Sequence, residues 1–133
     1  YEIGVKSSLF DRRVTANVAA FWNDYTDLQL SSFVADPNGV GGFGALFTNA
    51  GAATIRGVEI EVLARPIEPL SINATLSYLD GQYDEYIGPG GLDISDQREL
   101  VNAPEWAWRL GATYDFDLGA QGTLRVGADA SYR

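Results

Sequence analysis

A chain of 133 residues has room for one domain with a modest core, and 46% hydrophobic residues set it apart from disordered segments. Its 18 acidic against 9 basic residues give a formal charge of −9, the wrong sign for nucleic acid, whose phosphates need Lys and Arg. With no Cys and no His, it offers no disulfide, no thiolate or imidazole metal site and no Ser-His-Asp catalysis.

No apolar run reaches the ~18 residues of a transmembrane helix. The first residues open directly on a strand-like pattern with no initiator Met or signal peptide, so the expectation is a piece of a longer polypeptide. Segment 1–9 sets Tyr1, Ile3, Val5 and Leu9 on one side and Glu2, Lys6 and Ser8 on the other, and Asp11-Arg12 reverses the chain. Segment 13–30 carries Val14, Ala16, Val18, Ala20, Trp22, Leu28 and Leu30 on even positions. Asp24 and Thr26 interrupt that side, which predicts a bulge or a strand leaving its apolar zone; Asp24 is expected to be the only charge on an apolar face. Residues 31–51, rich in Gly, Ser and Asn, read as a long loop.

In TIRGVEIEV (54–62), Val58, Ile60 and Val62 share one face of a strand, with Glu59 and Glu61 on the other. PIEP (66–69) turns the chain, and LSINATLSY (70–78) alternates throughout. A second long loop is expected over about 84–104, containing GPGG at 88–91. WAWRLGATYDF (106–116) separates Trp106, Trp108, Leu110, Ala112, Tyr114 and Phe116 from Arg109, Thr113 and Asp115. A turn at 117–122 leads to TLRVGADASYR, where Leu124, Val126, Ala128, Ala130 and Tyr132 lie opposite Arg125 and Asp129. The fold class is therefore all-β: an antiparallel up-and-down meander of about six strands.

Connections alternate short and long, so a meander collects short turns at one end and long loops at the other, as in outer-membrane barrels. A soluble extracellular β-sandwich binding module also alternates, and it is the competing interpretation. Two features favour the barrel. The apolar side holds many small residues (Ala16, Ala20, Ala74, Ala112, Ala128, Ala130), adequate against fluid lipid but poor filling for a jigsaw core. Its aromatics, Tyr78, Trp106, Trp108, Tyr114, Phe116 and Tyr132 among them, lie mostly towards strand ends, where an interfacial girdle belongs.

Longer stretches carry a family likeness. YEIGVKSSLFDRRVTANVAAFWNDYTDLQL resembles the barrel portion of TonB-dependent outer-membrane receptors, and TNAGAATIRGVEIEV is similar to their N-A-G-x-A-x-x-x-G-V-E-x-E segment. LVNAPEWAWRLGATYDF and GTLRVGADASYR resemble the strands that follow. The resemblance implies a segment from the later part of a transmembrane barrel of about 22 strands in the outer membrane of a Gram-negative bacterium. It further implies energy-coupled import of a scarce nutrient (ferric siderophore, cobalamin or glycan) and a TonB-type coupling protein acting through a plug domain. Residues 1–133 contain no plug and no signal peptide, so they are expected to be a partial barrel domain that does not transport alone.

Glu59 and Glu61, roughly 6–7 Å apart as alternate residues, have a spacing that glycosidase carboxylates also use. No sugar-cleft pattern accompanies them, and lumen-facing polarity, shared with Arg109, is the expected role. Asp84, Glu85, Asp93, Asp96 and Glu99 lack EF-hand spacing and read as a solvated acidic loop, so no metal or cofactor is expected. Phe43, Phe47 and Tyr86 are the loop aromatics that could capture ligand. In water the piece is expected to hide Val58, Ile60, Val62, Ile72, Leu76 and Trp108 by self-association, in detergent, or by curling into a sandwich.

Overall fold

The structure, a computed structural model, describes residues 1–35 and 42–133; the side chains of 30, 32–35, 43, 45–48 and 50 are not included. Six strands form one sheet: β1 (Glu2–Leu9), β2 (Val14–Ala35), β3 (Phe43–Ile67), β4 (Leu70–Tyr86), β5 (Trp106–Asp117) and β6 (Thr123–Tyr132). They lie in chain order, and β1 pairs with β2, β4 with β5 and β5 with β6 antiparallel. The expected meander is present.

Each short connection has a local cause. Between β1 and β2 the Arg13 N–H donates to the Phe10 carbonyl at 3.0 Å, with Asp11 and Arg12 at φ 54° and 67°. Two positive φ values at the centre give the turn the twist that matches flanking strands. Glu68 and Pro69 alone join β3 to β4. Between β5 and β6, Asp117 Oδ1 accepts the Gly119 N–H at 2.8 Å, and Gly119 and Gly122 take φ 61° and 106°.

The predicted long loops are shorter than expected. β2 continues to Ala35 and β3 begins at Phe43, so most of 31–51 is strand, while 36–41 lie outside the described residues. The Gly, Ser and Asn there hide the period-two signal, yet backbone pairing needs no apolar side chain. β4 likewise runs to Tyr86, and the connection to β5 holds a short 3-10 turn at Ser95–Gln97. At 25 residues β3 far exceeds the ~9–11 residues that cross a bilayer. Asp27, next to the expected interruption at Asp24 and Thr26, takes φ 55°.

The chain divides into two compact units: Tyr1–Phe21, Arg56–Asp80 and Pro104–Arg133 in the first; Trp22–Ile55 and Gly81–Ala103 in the second. The first is a single layer of sheet. Among the described residues the only buried hydrophobic side chain is Ala53, at 1% exposure in the second unit. No second sheet covers the first among the described residues, which removes the sandwich alternative. The curling into a sandwich, one of the three expected ways of hiding the apolar side, is not seen among the described residues. Ile60, Val62 and Ile72 are half-buried by strand neighbours, but Val58, Leu76 and Trp108 remain 37%, 38% and 41% exposed. A single layer can screen side chains only laterally, so that face needs a cover from outside.

Candidate functional site

The registers of the first unit sort its side chains into two faces. On one, Val5 lies opposite Val18, Leu76 opposite Trp108, Leu110 opposite Ala130 and Ala112 opposite Ala128. Aromatic contacts bracket this apolar band. Towards the β4–β5 connection, Tyr78 and Trp106 have centroids 4.7 Å apart, and Trp108 stacks on Tyr132 at 6.4 Å and 20°. Near the β5–β6 turn, Tyr114 and Phe116 are 4.6 Å apart. From Trp106 to Phe116 a strand rises ~34 Å, which a tilt of ~40° projects to ~26 Å, close to the ~25 Å apolar band of outer-membrane barrels.

The other face is polar. Lys6 pairs with Asn17, whose Nδ2 donates to Glu61 Oε2 at 2.8 Å. Thr75 pairs with Arg109, and Arg109 with Ser131; the Arg109 guanidinium approaches Asp129 Oδ2 at 3.7 Å. Glu2, Lys6, Asn17, Glu59, Glu61 and Thr75 line an open groove of about 600 Å³. Glu59, Glu61 and Arg109 are all exposed. Hence the structure brings Glu59 and Glu61 to one groove, with Arg109 beside a second hollow of about 560 Å³ near Ser77 and Ser131. Among the described residues no cluster of acidic groups is arranged to hold a metal ion.

Glycines set the spacing of this face. Phe21 lies over Gly57, whose absent Cβ would meet the Tyr78 carbonyl oxygen and, at 2.8 Å, the Phe21 Cζ. Asn73 similarly covers Gly111, and Thr113 covers Gly127. Close approach of this kind, in which a neighbour's side chain fills the space above a strand glycine, keeps the sheet intact where a side chain is missing. Alternation alone gave no sign of it.

The second unit carries the remaining candidates. Tyr86 is half-buried, edge-on to Tyr83 at 5.1 Å and under the Arg98 guanidinium at 5.5 Å. Asp93 ties this loop down: Oδ1 accepts the backbone N–H of Ser95 at 3.0 Å and of Tyr86 at 3.1 Å. Those N–H bonds hold the Asp93 carboxyl below its usual range. Phe43 and Phe47 belong to β3 by backbone, but their side chains lie outside the described residues. Thr54 Oγ1 donates to Asp84 Oδ2 at 2.7 Å and also lies 3.3 Å from Asp24 Oδ1, which takes the Trp22 indole N–H at 2.6 Å. Asp24 is therefore a hydrogen-bonded member of a cluster. Nor is it the only charge that shares the parity of an apolar run. In the first unit Arg56 and Asp80, bonded at 2.6 Å, share the parity of Val58 and Tyr78. The sequence reading missed them because each stands where its apolar run ends.

A single antiparallel sheet with one apolar face, aromatics at both margins and a polar reverse defines a segment of an outer-membrane-type β-barrel. No helix among the described residues is long and apolar enough to cross a membrane, which leaves strand crossing untouched. The family model described as TonB dependent receptor-like, beta-barrel, matches residues 1–133, and the chain belongs to that family. The family consists of receptors and transporters of the Gram-negative outer membrane, where this chain is located. No solved structure matches it.

Proposed function

We propose that these strands form part of the wall of a receptor that imports a scarce nutrient, with Glu59, Glu61 and Arg109 facing the lumen. The observation that carries this reading is the two-faced single layer: apolar side chains with marginal aromatics on one face, ion pairs and hydroxyls on the other. A wall of that kind separates lipid from a wet interior. Ferric siderophore, cobalamin and glycan are the ligand classes proposed, with import driven by a TonB-type protein acting through a plug domain. Tyr86, the last residue of β4 and under the guanidinium of Arg98 from the loop that follows, is proposed to contact ligand at the outer mouth, as are Phe43 and Phe47.

Cysteine labelling of the protein in intact outer membranes tests the facing. A small hydrophilic maleimide should modify Glu59→Cys and Glu61→Cys, whereas Ile60→Cys and Val62→Cys should react only with a lipid-soluble reagent. Equal hydrophilic labelling of all four positions would refute the lumen assignment. For the transport reading, the Tyr86→Ala receptor should bind its nutrient at least several-fold more weakly while remaining at the normal level in the membrane.

A further inference from the structure

On the polar face of the first unit, close to the short turns, two arginines stand directly across from each other. The Arg65 N–H donates to the Arg13 carbonyl at 2.6 Å, and the Asn17–Glu61 bond further along the same strand pair keeps that register. Like charges placed opposite one another on neighbouring strands disfavour the sheet, so such a pair calls for a partner. Among the described residues neither guanidinium has one. Arg13 Nη1 donates to the Pro66 carbonyl at 3.3 Å and Arg65 Nε to Ser71 Oγ at 3.3 Å, both neutral acceptors. Both side chains are exposed, and no carboxylate lies within ion-pair distance of either among the described residues.

Asp115, whose charge feels Arg65, is committed elsewhere. It is gripped through both oxygens by Arg125, at 2.6 and 2.7 Å, and feels Arg65 only through its field. Asp117 accepts the Gly119 N–H, and Glu61 takes the Asn17 amide. In a chain of net charge −9, this leaves two adjacent guanidinium forks with open donors. We propose that Arg13 and Arg65 form a carboxylate-binding site for an acidic peptide segment. Two points favour that occupant. A carboxylate matches the fork bidentately as a monoanion, and the Asp115 charge beside the site opposes a phosphate dianion more strongly. The row leading away from it, Ser71 opposite Thr113, supplies hydroxyls that peptide groups can use. The strand register sets this pair side by side whichever face of the sheet meets the lumen.

The test is calorimetric titration of the chain, folded in zwitterionic detergent micelles, with hexaglutamate, with inorganic phosphate and, separately, with vesicles of anionic phospholipid. Hexaglutamate should bind, and Arg13→Gln/Arg65→Gln should weaken it at least tenfold, whereas Arg109→Gln on the same face should change it less than threefold. Arg13→Lys/Arg65→Lys, which keeps the charge and loses the fork, should fall between. Circular dichroism of each variant checks that the sheet is retained. Absent binding, binding unchanged in the double Gln variant, or phosphate or vesicles bound as tightly as the peptide would overturn the proposal.

Discussion

Substituting alanine at Gly57 isolates a feature of the fold that no count of apolar residues reveals. In an ordinary strand interior the change stabilises, by about 0.5–1 kcal/mol, because glycine loses the most backbone freedom on folding. Here the added methyl would meet the Tyr78 carbonyl oxygen on β4 and the Phe21 ring on β2, with Cζ at 2.8 Å and Cε1 at 3.1 Å. The ring can tilt, but the carbonyl belongs to the backbone and cannot withdraw without moving β4. Overpacking of this kind costs about 1–3 kcal/mol. Set against the propensity gain, Gly57→Ala should destabilise by about 1–2 kcal/mol. Gly111→Ala is the internal control. Its methyl would meet the Asn73 side chain, 2.7 Å from Oδ1, and an exposed amide can swing aside. That variant should stay within about 0.5 kcal/mol of the parent or gain slightly. Urea unfolding of the chain in phospholipid vesicles, followed by Trp fluorescence, gives both differences if the slope is unchanged. Adding Phe21→Ala should recover part of the Gly57→Ala loss, since it removes one of the two obstructions. A Gly57→Ala chain as stable as its parent, or equal losses at Gly57 and Gly111, would refute the packing account.

Leu110 lies midway between the aromatic margins on the apolar face, so Leu110→Arg should cost about 2–4 kcal/mol in the same vesicle assay. Thr75→Arg on the polar face should change stability by less than about 1 kcal/mol, and a reversal of that order would invert the two faces. The lowered Asp93 carboxyl has a definite pH signature. Its contribution is complete above the ordinary carboxyl value of 3.8 and is lost as pH falls through the lower folded-state value. Hydrogen exchange at the Tyr86 and Ser95 amides should accelerate only in that acid range, beyond the intrinsic pH effect, and Asp93→Asn should flatten the dependence. In the first turn, Arg12 holds φ 67°, a conformation that costs a non-glycine residue about 1–2 kcal/mol, so Arg12→Gly should raise the urea midpoint. A lowered midpoint would mean that the Arg12 side chain contributes more than its backbone strain removes.

Much of the fold is legible in the sequence because period-two alternation encodes strand and facing together. Val58, Ile60 and Val62 against Glu59 and Glu61 define both without any tertiary information. The same code fails where a strand has nothing to segregate. Residues 43–53 (FGALFTNAGAA) pair as part of β3 although glycines, alanines and polar residues blur both faces. Strand pairing there is a property of the backbone, which the side-chain pattern cannot report. The site divides in the same way. That Glu59, Glu61 and Arg109 share the polar face follows from parity, whereas Phe21 over Gly57, and Arg13 across from Arg65, depend on register between strands far apart in sequence. Register is fixed by turn geometry and strand length together, and neither follows from one strand read alone.

Parity also explains why the apolar band stops where it does. Along β3 the even side runs Val62, Ile60, Val58 and then Arg56; along β4 it runs Leu76, Tyr78 and then Asp80. Arg56 and Asp80 bind each other through Nε and Nη2, at 2.9 and 2.6 Å to the same Oδ2, immediately beyond the level of Tyr78 and Trp106. Two charges at that height would be costly inside hydrocarbon and cost little in the headgroup zone, where paired ions keep contact with water. An aromatic pair followed at once by an ion pair on the same side of the sheet therefore fixes a depth. The strand cannot slide inward without carrying Arg56 and Asp80 into lipid, nor outward without exposing Trp108 and Leu110 to water. In the wall proposed above, the membrane boundary falls at this change of residue type at constant parity, and it sets the vertical position of the luminal groups.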